Sequence, residues 1–468
     1  MNTNKQTHAK DASAQKQRNY QEVIEYLDAH DRKDYSFQSM ERMQKLDALF
    51  SNPSQKINAI TITGTNGKSL TAHFTAKLFA KENISVGVFF TPHILTYNER
   101  FVINSESIAN KTFTDSANEV IQAVTAAGIN ATTTEILTQM AFNYFYQEKV
   151  DVVLLESSHY GPFEPTLIAH SKIVAITRLN GTHADEKGNV LEPLIHEYLA
   201  PVRKGVYVIS ADQNKNNLKH MELFSEQKEA LWAMPIRKLA PLDYPFEQLH
   251  GRCAALAERI AFIYVNNFVN KEGEILSESI LAKQKGQRGR PTLEQKRLQY
   301  LNPKHTIGDF WKETTNELVA HFQLLDKEKP SILLDNASNS DALENTLLGV
   351  RLLHYQRPIK GLVLIVAAHK DSFDMLEFSK QIRYFFKKMN GSLIICPTHK
   401  VQGKESWDMA GYQEVFKDLK VKIKTTDSFK EAFDAAKKIA TDRSSLVVIT
   451  GSTDIIKDYF DYKGIKKF

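Results

Sequence analysis

Residues Ile57 to Ser69 read INAITITGTNGKS, a β-branched apolar run that breaks into a glycine-containing turn and ends in Lys68 and Ser69. The next stretch, TAHFTAKLFAKE (71–82), carries apolar residues at helical spacing, so the whole reads as strand, loop, helix. Such a turn suits a nucleotide phosphate. Gly64 and Gly67 let the backbone aim N–H groups at an anion on a helix N-terminus, with Thr65 and Asn66 between them. Lys68 adds a point charge and Ser69 a hydroxyl for magnesium. The spacing departs from the usual phosphate-loop pattern, which has glycine where this chain has Ile62.

Working outward, Tyr20–His30 and Phe37–Ser51 show helical periodicity and precede the first strand. Downstream, ISVGVFFTPHI (84–94), VDVVLLE (150–156), the strand Lys172–Thr177 and GVYVIS (205–210) are strand-like runs alternating with helical stretches. That alternation predicts a mostly parallel sheet with helices on both faces. In such sheets functional groups collect beyond the carboxyl ends of the strands. This rule singles out Thr91 and His93 after the second run, Glu156 after VDVVLLE and His183 after ITRLNGTH. From Leu318 a second α/β block begins, with AHFQLL, SILLDNASNS, LVLIVAAHKDS, SLIICPTHK and SLVVITGSTD separated by helices, which predicts a Rossmann-like domain. The expected organisation is a disordered tail over 1–18, an ATP-binding domain over 19–270, a polar basic insertion or linker over 271–317 and the Rossmann-like domain over 318–468.

The 468 residues, 42% hydrophobic and 25% charged, are those of a soluble globular chain, and no apolar run nears the roughly 18 residues that a membrane span requires. The polar N-terminus lacks a secretory core, so the expected compartment is the cytoplasm. Cys253 and Cys396 are too few and too far apart for a disulfide framework or metal cluster. A net charge of +5 does not suggest nucleic acid, and the basic run Lys283–Arg297 lacks interleaved aromatics and reads as a solvated insertion. A monomer with small-molecule substrates is expected.

Taken in order, FQSMERM, GTNGKS, FFTPHILTYNERF, the TTTEILT helix, VDVVLLE, ITRLNGTH, SILLDNASN, AAHKD and the late TGS resemble the folylpolyglutamate synthase and dihydrofolate synthase family, within the wider Mur ligase group. The resemblance implies a Mur-ligase-like α/β fold and an ATP-dependent amide ligase. ATP phosphorylates a carboxylate of a pterin-containing acid, and the amine of an amino acid, usually glutamate, attacks the acyl phosphate. It implies that Gly64–Ser69 hold ATP and that Ser69, Thr91, Glu156 and His183 ligate Mg2+. It gives Lys68 and His183 catalytic roles, sets Asp335 near the ribose, and puts His321 where the family has a phosphate-binding arginine.

Departures accompany the resemblance. The family's carbamylated, metal-bridging lysine falls at Leu199, or at Tyr198 with a one-residue slip, and neither can be carbamylated. The glycine-rich loop after Glu156 is SSHYGPFE, with Pro162 at an arginine position, the His of the DGAHN motif is Ser338, and an adenine-side asparagine is Cys253. Lys204, Lys187 and His159 are candidate substitutes. Two readings stay open: a divergent ligase, or a catalytically impaired nucleotide-binding or scaffold protein on the same fold. An ATPase without ligation is a third.

Overall fold

The computed structural model describes residues 17–32, 34–157, 161–179, 192–234, 246–269, 280–281, 307–314, 319–370, 372–398, 405–407, 421–442 and 444–467. Two sheets form two α/β domains. The first contains β1 (Ala59–Thr63), β2 (Val86–Phe89), β3 (Phe101–Ile103), β4 (Glu106–Ser107), β5 (Val152–Glu156), β6 (Ser171–Ile176), β7 (Tyr207–Ser210) and β8 (Leu231–Ala233), in the order β4-β3-β2-β5-β1-β6-β7-β8. All its pairings are parallel except those made by β3. The chain order reverses at β1, which lies between β5 and β6, so a crevice opens beyond its carboxyl end.

The described α-helices up to Phe268 that accompany this sheet are α1 (Tyr20–Ala29), α2 (Phe37–Leu49), α3 (Lys68–Lys81), α4 (Asn110–Ala126), α5 (Thr133–Gln147), α6 (Glu192–Tyr198), α7 (Lys215–Gln227) and α8 (Phe246–Phe268). Residues alternate across a strand, so each face acquires its own core. Ile60, Ile62, Val152 and Leu154 meet Phe74 and Phe79 of α3 and the α8 residues Leu256, Ile260 and Tyr264. Ala59, Val153 and Leu155 meet Phe113 of α4 and Met140 and Phe142 of α5. Because both faces are covered, β1 (AITIT) and β5 (VVLLE) are buried along their whole length and carry β-branched or apolar residues at every position but the last of β5, which is why they are readable as strands once Ala59 is set aside.

The second sheet runs β13-β12-β11-β14-β10-β9, where β9 is Gln323–Leu325, β10 Ser331–Leu334, β11 Leu362–Val366, β12 Ser392–Ile395, β13 Lys422–Thr425 and β14 Leu446–Thr450. Only β9 is antiparallel, hydrogen-bonded to β10. Helices Ser340–Gln356 and Met375–Phe386 cover one face, and Phe429–Ile439 and Thr453–Tyr462 the other.

Two segments differ from their sequence reading. Arg18, at the end of the expected tail, is anchored: its backbone N–H donates to Asn118 Oδ1 at 2.9 Å and its carbonyl accepts from Asn118 Nδ2 at 2.8 Å. Within the expected linker 271–317, most of which lies outside the described residues, Ile307–Thr314 is a helix. Its Phe310 and Trp311 are buried in the first domain's core, Trp311 edge-on to Phe74 at 5.2 Å. The stretch is polar overall, but these adjacent aromatics give it one face that water does not reach. No helix among the described residues is long and apolar enough to cross a membrane.

The domains touch directly. Ile94 and Leu95, after the TPH loop, pack on the second domain's core. At Gly349 of Ser340–Gln356 an added Cβ would lie 2.4 Å from Phe322 and 2.8 Å from Leu249 of α8.

Candidate active site

The turn between β1 and α3 is built as its glycines require. Gly64 has φ +129° and Gly67 φ +88°, and an added Cβ would fall 2.2 Å from Thr177 Oγ1 at the first and 2.7 Å from Cys253 Sγ at the second. The turn is fixed to the end of β6: Thr65 N donates to Arg178 O at 2.7 Å, and Asn66 and Arg178 form an isolated antiparallel bridge. Lys68 folds its ammonium back onto the turn, donating to Gly64 O at 2.9 Å and Thr65 O at 3.3 Å. Burial lowers its pKa, opposed by the charges of Glu156 and Glu164.

Glu156 ends β5 one strand away and is almost wholly buried. Its Oε1 accepts from Ser69 Oγ at 2.9 Å and its Oε2 from the backbone N–H of Thr91 at 3.4 Å. Burial pushes its pKa up to about 7, against the pull of Lys68, Ser69, Thr91 and Arg100. The structure therefore joins Lys68, Ser69, Thr91 and Glu156 in one cluster beside the turn. Around them stand His93, whose Nδ1 accepts from Arg100 Nε at 3.0 Å, and two groups that the sequence reading did not select, buried Glu164 and half-buried Tyr35. Burial and the nearby Glu164 charge hold the Tyr35 phenol well above its ordinary range.

From the second domain, His321 donates from Nδ1 to Val319 O at 2.7 Å. It sits beside His250, whose pKa is pushed down to about 3 by burial and then by His321. Asp335 is engaged by its own domain: Oδ1 accepts from Thr346 Oγ1 at 2.6 Å and Ala337 N at 3.1 Å, and Oδ2 from Phe322 N at 2.9 Å. Asn66 bridges the domains. Its amide exchanges hydrogen bonds with that of Asn339 at 3.1 and 2.8 Å and donates to Asp341 at 2.8 Å. Arg178 pairs with the same Asp341 at 2.7 Å.

His183, His159 and Lys187 lie outside the described residues. Of the two positions considered for the lysine, Leu199 is buried in the apolar cluster under α6 and α7, whereas Tyr198 brings its hydroxyl to 3.2 Å from Thr65 Oγ1. Lys204, a candidate substitute, is an exposed partner of Glu229 at 2.7 Å. Arg178 and Asp341 were within reach of sequence reasoning: Arg178 follows a strand's carboxyl end, and Asp341 opens a helix two residues after its Asn339 cap. What joins them is contact between domains, which no local pattern records.

Among the described residues there is no group of three or more His, Cys, Asp or Glu placed to hold a metal. The carboxylate of Glu156 with the hydroxyl of Ser69 is nevertheless an oxygen pair of the kind that Mg2+ takes alongside phosphate oxygens.

No family model matches the chain. The chain is 27% identical over 315 residues to the dihydrofolate synthase/folylpolyglutamate synthase of Bacillus subtilis, an alignment covering 65% of this chain and 70% of that protein. It is 30% identical over 205 residues to the enzyme of the same name from Haemophilus influenzae, covering 44% of each, so the chain spans less than half of that relative. Its fold matches the bifunctional folylpolyglutamate synthase/dihydrofolate synthase of Yersinia pestis, solved with AMPPNP and Mn, with a TM-score of 0.72 at 20% identity over 96% of this chain and 98% of the other. With the order of motifs and the two-domain architecture agreeing, the chain is a distant member of the folylpolyglutamate synthase/dihydrofolate synthase family.

Proposed function

We propose that the protein is an ATP-dependent ligase that joins glutamate to a pterin-containing acid through an acyl phosphate. The observation that carries this reading is the Gly64–Ser69 turn at the sheet's switch point, with Lys68 folded over it and Ser69 Oγ hydrogen-bonded to buried Glu156. The acid's carboxylate oxygen takes the γ-phosphoryl group and ADP departs. The glutamate amine then attacks the acyl carbon, the amide bond forms, and phosphate and the amine's surplus proton leave.

The turn's N–H groups and Lys68 offset negative charge on the phosphates. Ser69 and Glu156, with Thr91 and His183 as the resemblance implies, would hold Mg2+, which supplies further charge neutralisation. Closure of the second domain through Asn339 and Asp341 limits water at the turn.

One observation favours the rival reading of a nucleotide-binding protein without turnover: Tyr198, not an ionisable nitrogen, faces Thr65. The experiment is Mg2+-dependent ADP release by the purified chain, with and without dihydropteroate or tetrahydrofolate plus glutamate, with products weighed by mass spectrometry. Substrate-stimulated release with a glutamate increment in mass supports the ligase. ATP binding without stimulated release on these acids favours the rival.

A further inference from the structure

Arg178 occupies a distinctive place. Its backbone belongs to the nucleotide turn, through the carbonyl that accepts from Thr65 N at 2.7 Å and the bridge to Asn66. Its side chain, 39% exposed, reaches across the domain boundary to Asp341, which is only 8% exposed and lies 2.7 Å away. Asp341 also accepts from Asn66 Nδ2 at 2.8 Å, so one buried acid grips both the turn and the guanidinium beside it. Arg252 on α8 adds a second guanidinium, next in sequence to Cys253, whose Sγ lies over Gly67. Burial and then the Arg178 charge push the Arg252 pKa below its ordinary value, with Asp212 opposing. Two guanidinium groups that repel one another at the rim of an anion-binding turn are a place where a polyanion relieves strain in the charge distribution. His321, by contrast, spends its Nδ1 proton on Val319 O.

We infer that Arg178 is the phosphate-binding guanidinium of this chain's nucleotide site, and that Asp341 is the positioning residue that holds it at the turn when the second domain is docked. The inference rests on the reading of Gly64–Ser69 as an ATP site. Arginine suits this role because its planar fork can engage one oxyanion while keeping a hydrogen bond to a carboxylate. The charge therefore comes from the first domain and its orientation from the second, so nucleotide affinity reports on domain docking.

The test is calorimetric titration of the full-length chain with MgATP, and separately with adenosine, at two salt concentrations. Arg178→Gln is expected to weaken ATP binding on the order of tenfold or more and to flatten its salt dependence, with adenosine affinity kept. Asp341→Asn is expected to weaken ATP binding less, and Arg178→Lys to recover part of the loss. Arg357→Gln, which removes an exposed partner of Asp326, serves as a charge-matched control expected to bind normally. Thermal melting confirms that each variant is folded; if Arg178→Gln is not, Arg178→Lys and Asp341→Asn carry the comparison. Normal ATP affinity in Arg178→Gln, with binding lost in Lys68→Ala, overturns the inference and leaves the ATP site standing. Equal losses of ATP and adenosine affinity overturn it in favour of a purely structural role. Failure of the unaltered chain to bind ATP overturns both.

Discussion

Glu156 and Asp335 stand at matching places in the two sheets, each at the carboxyl end of a parallel strand, and burial raises the pKa of both. Their surroundings separate them. Asp335 is met by Phe322 N, Ala337 N and the Thr346 hydroxyl, three donors from within its own domain at 3.1 Å or less. Glu156 is met by one hydroxyl and one long backbone contact, with the Lys68 charge nearby. The first carboxylate is invested in holding the β9–β10 region, whereas the second keeps acceptor capacity for a cation. Equal topology does not give equal chemistry; what decides is how many donors the fold has already committed.

The largest expected effect breaks the Glu156 side of the comparison. Lys68→Ala removes the cation that offsets Glu156 and Glu164, an interaction of about 3–5 kcal/mol, which is roughly two hundredfold to several thousandfold in ATP affinity where the loss falls on binding. Calorimetry with MgATP measures it, and affinity unchanged from the parent would remove the phosphate-loop reading. Next comes pH. The Glu156 pKa is raised from 4.5 to about 7, so between those values the unfolded chain has released a proton that the folded chain still holds. Stability then declines as pH rises across that window, by about 3 kcal/mol in full. Glu156→Gln should abolish the decline in melting temperature across this range, and MgATP affinity of the unaltered chain should rise as pH passes through about 7.

Asp335→Asn sharpens the comparison from the other side. An amide has a single acceptor oxygen, so at least one donor among Phe322 N, Ala337 N and Thr346 Oγ1 loses its partner, at about 1–3 kcal/mol. The second domain's unfolding in denaturant should shift accordingly, and a shift near zero would mean that these bonds carry little. Smallest is Tyr198→Phe, which deletes a 3.2 Å contact to Thr65 and should change stability by only about 1 kcal/mol. A large loss of ATP affinity in that variant would instead give the hydroxyl a direct part at the phosphates.

The β1–turn–α3 unit was legible in the sequence because its signals are local: a β-branched run, glycines needing positive φ, then a helical period. The Glu156 and Thr91 positions followed from the strand-end rule, and the structure sets both beside Ser69. Elements at sheet edges were harder to read. KIKT of β13 alternates exposed lysines with half-buried residues, and LWA of β8 is short and partly exposed, so neither forms the apolar run that marked the central strands. Trp311 was hidden in a polar stretch, and the choice between Leu199 and Tyr198 depended on which face of the chain turned inward. The pairing of Asn66 and Arg178 with Asn339 and Asp341 spans more than 160 residues in sequence.

The Arg100–His93 contact has a consequence for protons. Because Nδ1 of His93 accepts from a guanidinium, the ring's own hydrogen resides on Nε2, and burial, with the adjoining positive charges of Arg100 and then Lys457, keeps the imidazole neutral. The TPH loop thus presents a fixed tautomer, an N–H donor that neither gains nor sheds charge near neutrality. In a nitrogen-15 spectrum this ring should show one pyridine-like and one pyrrole-like resonance whose positions stay still while the carboxyl carbon of Glu156 titrates beside it.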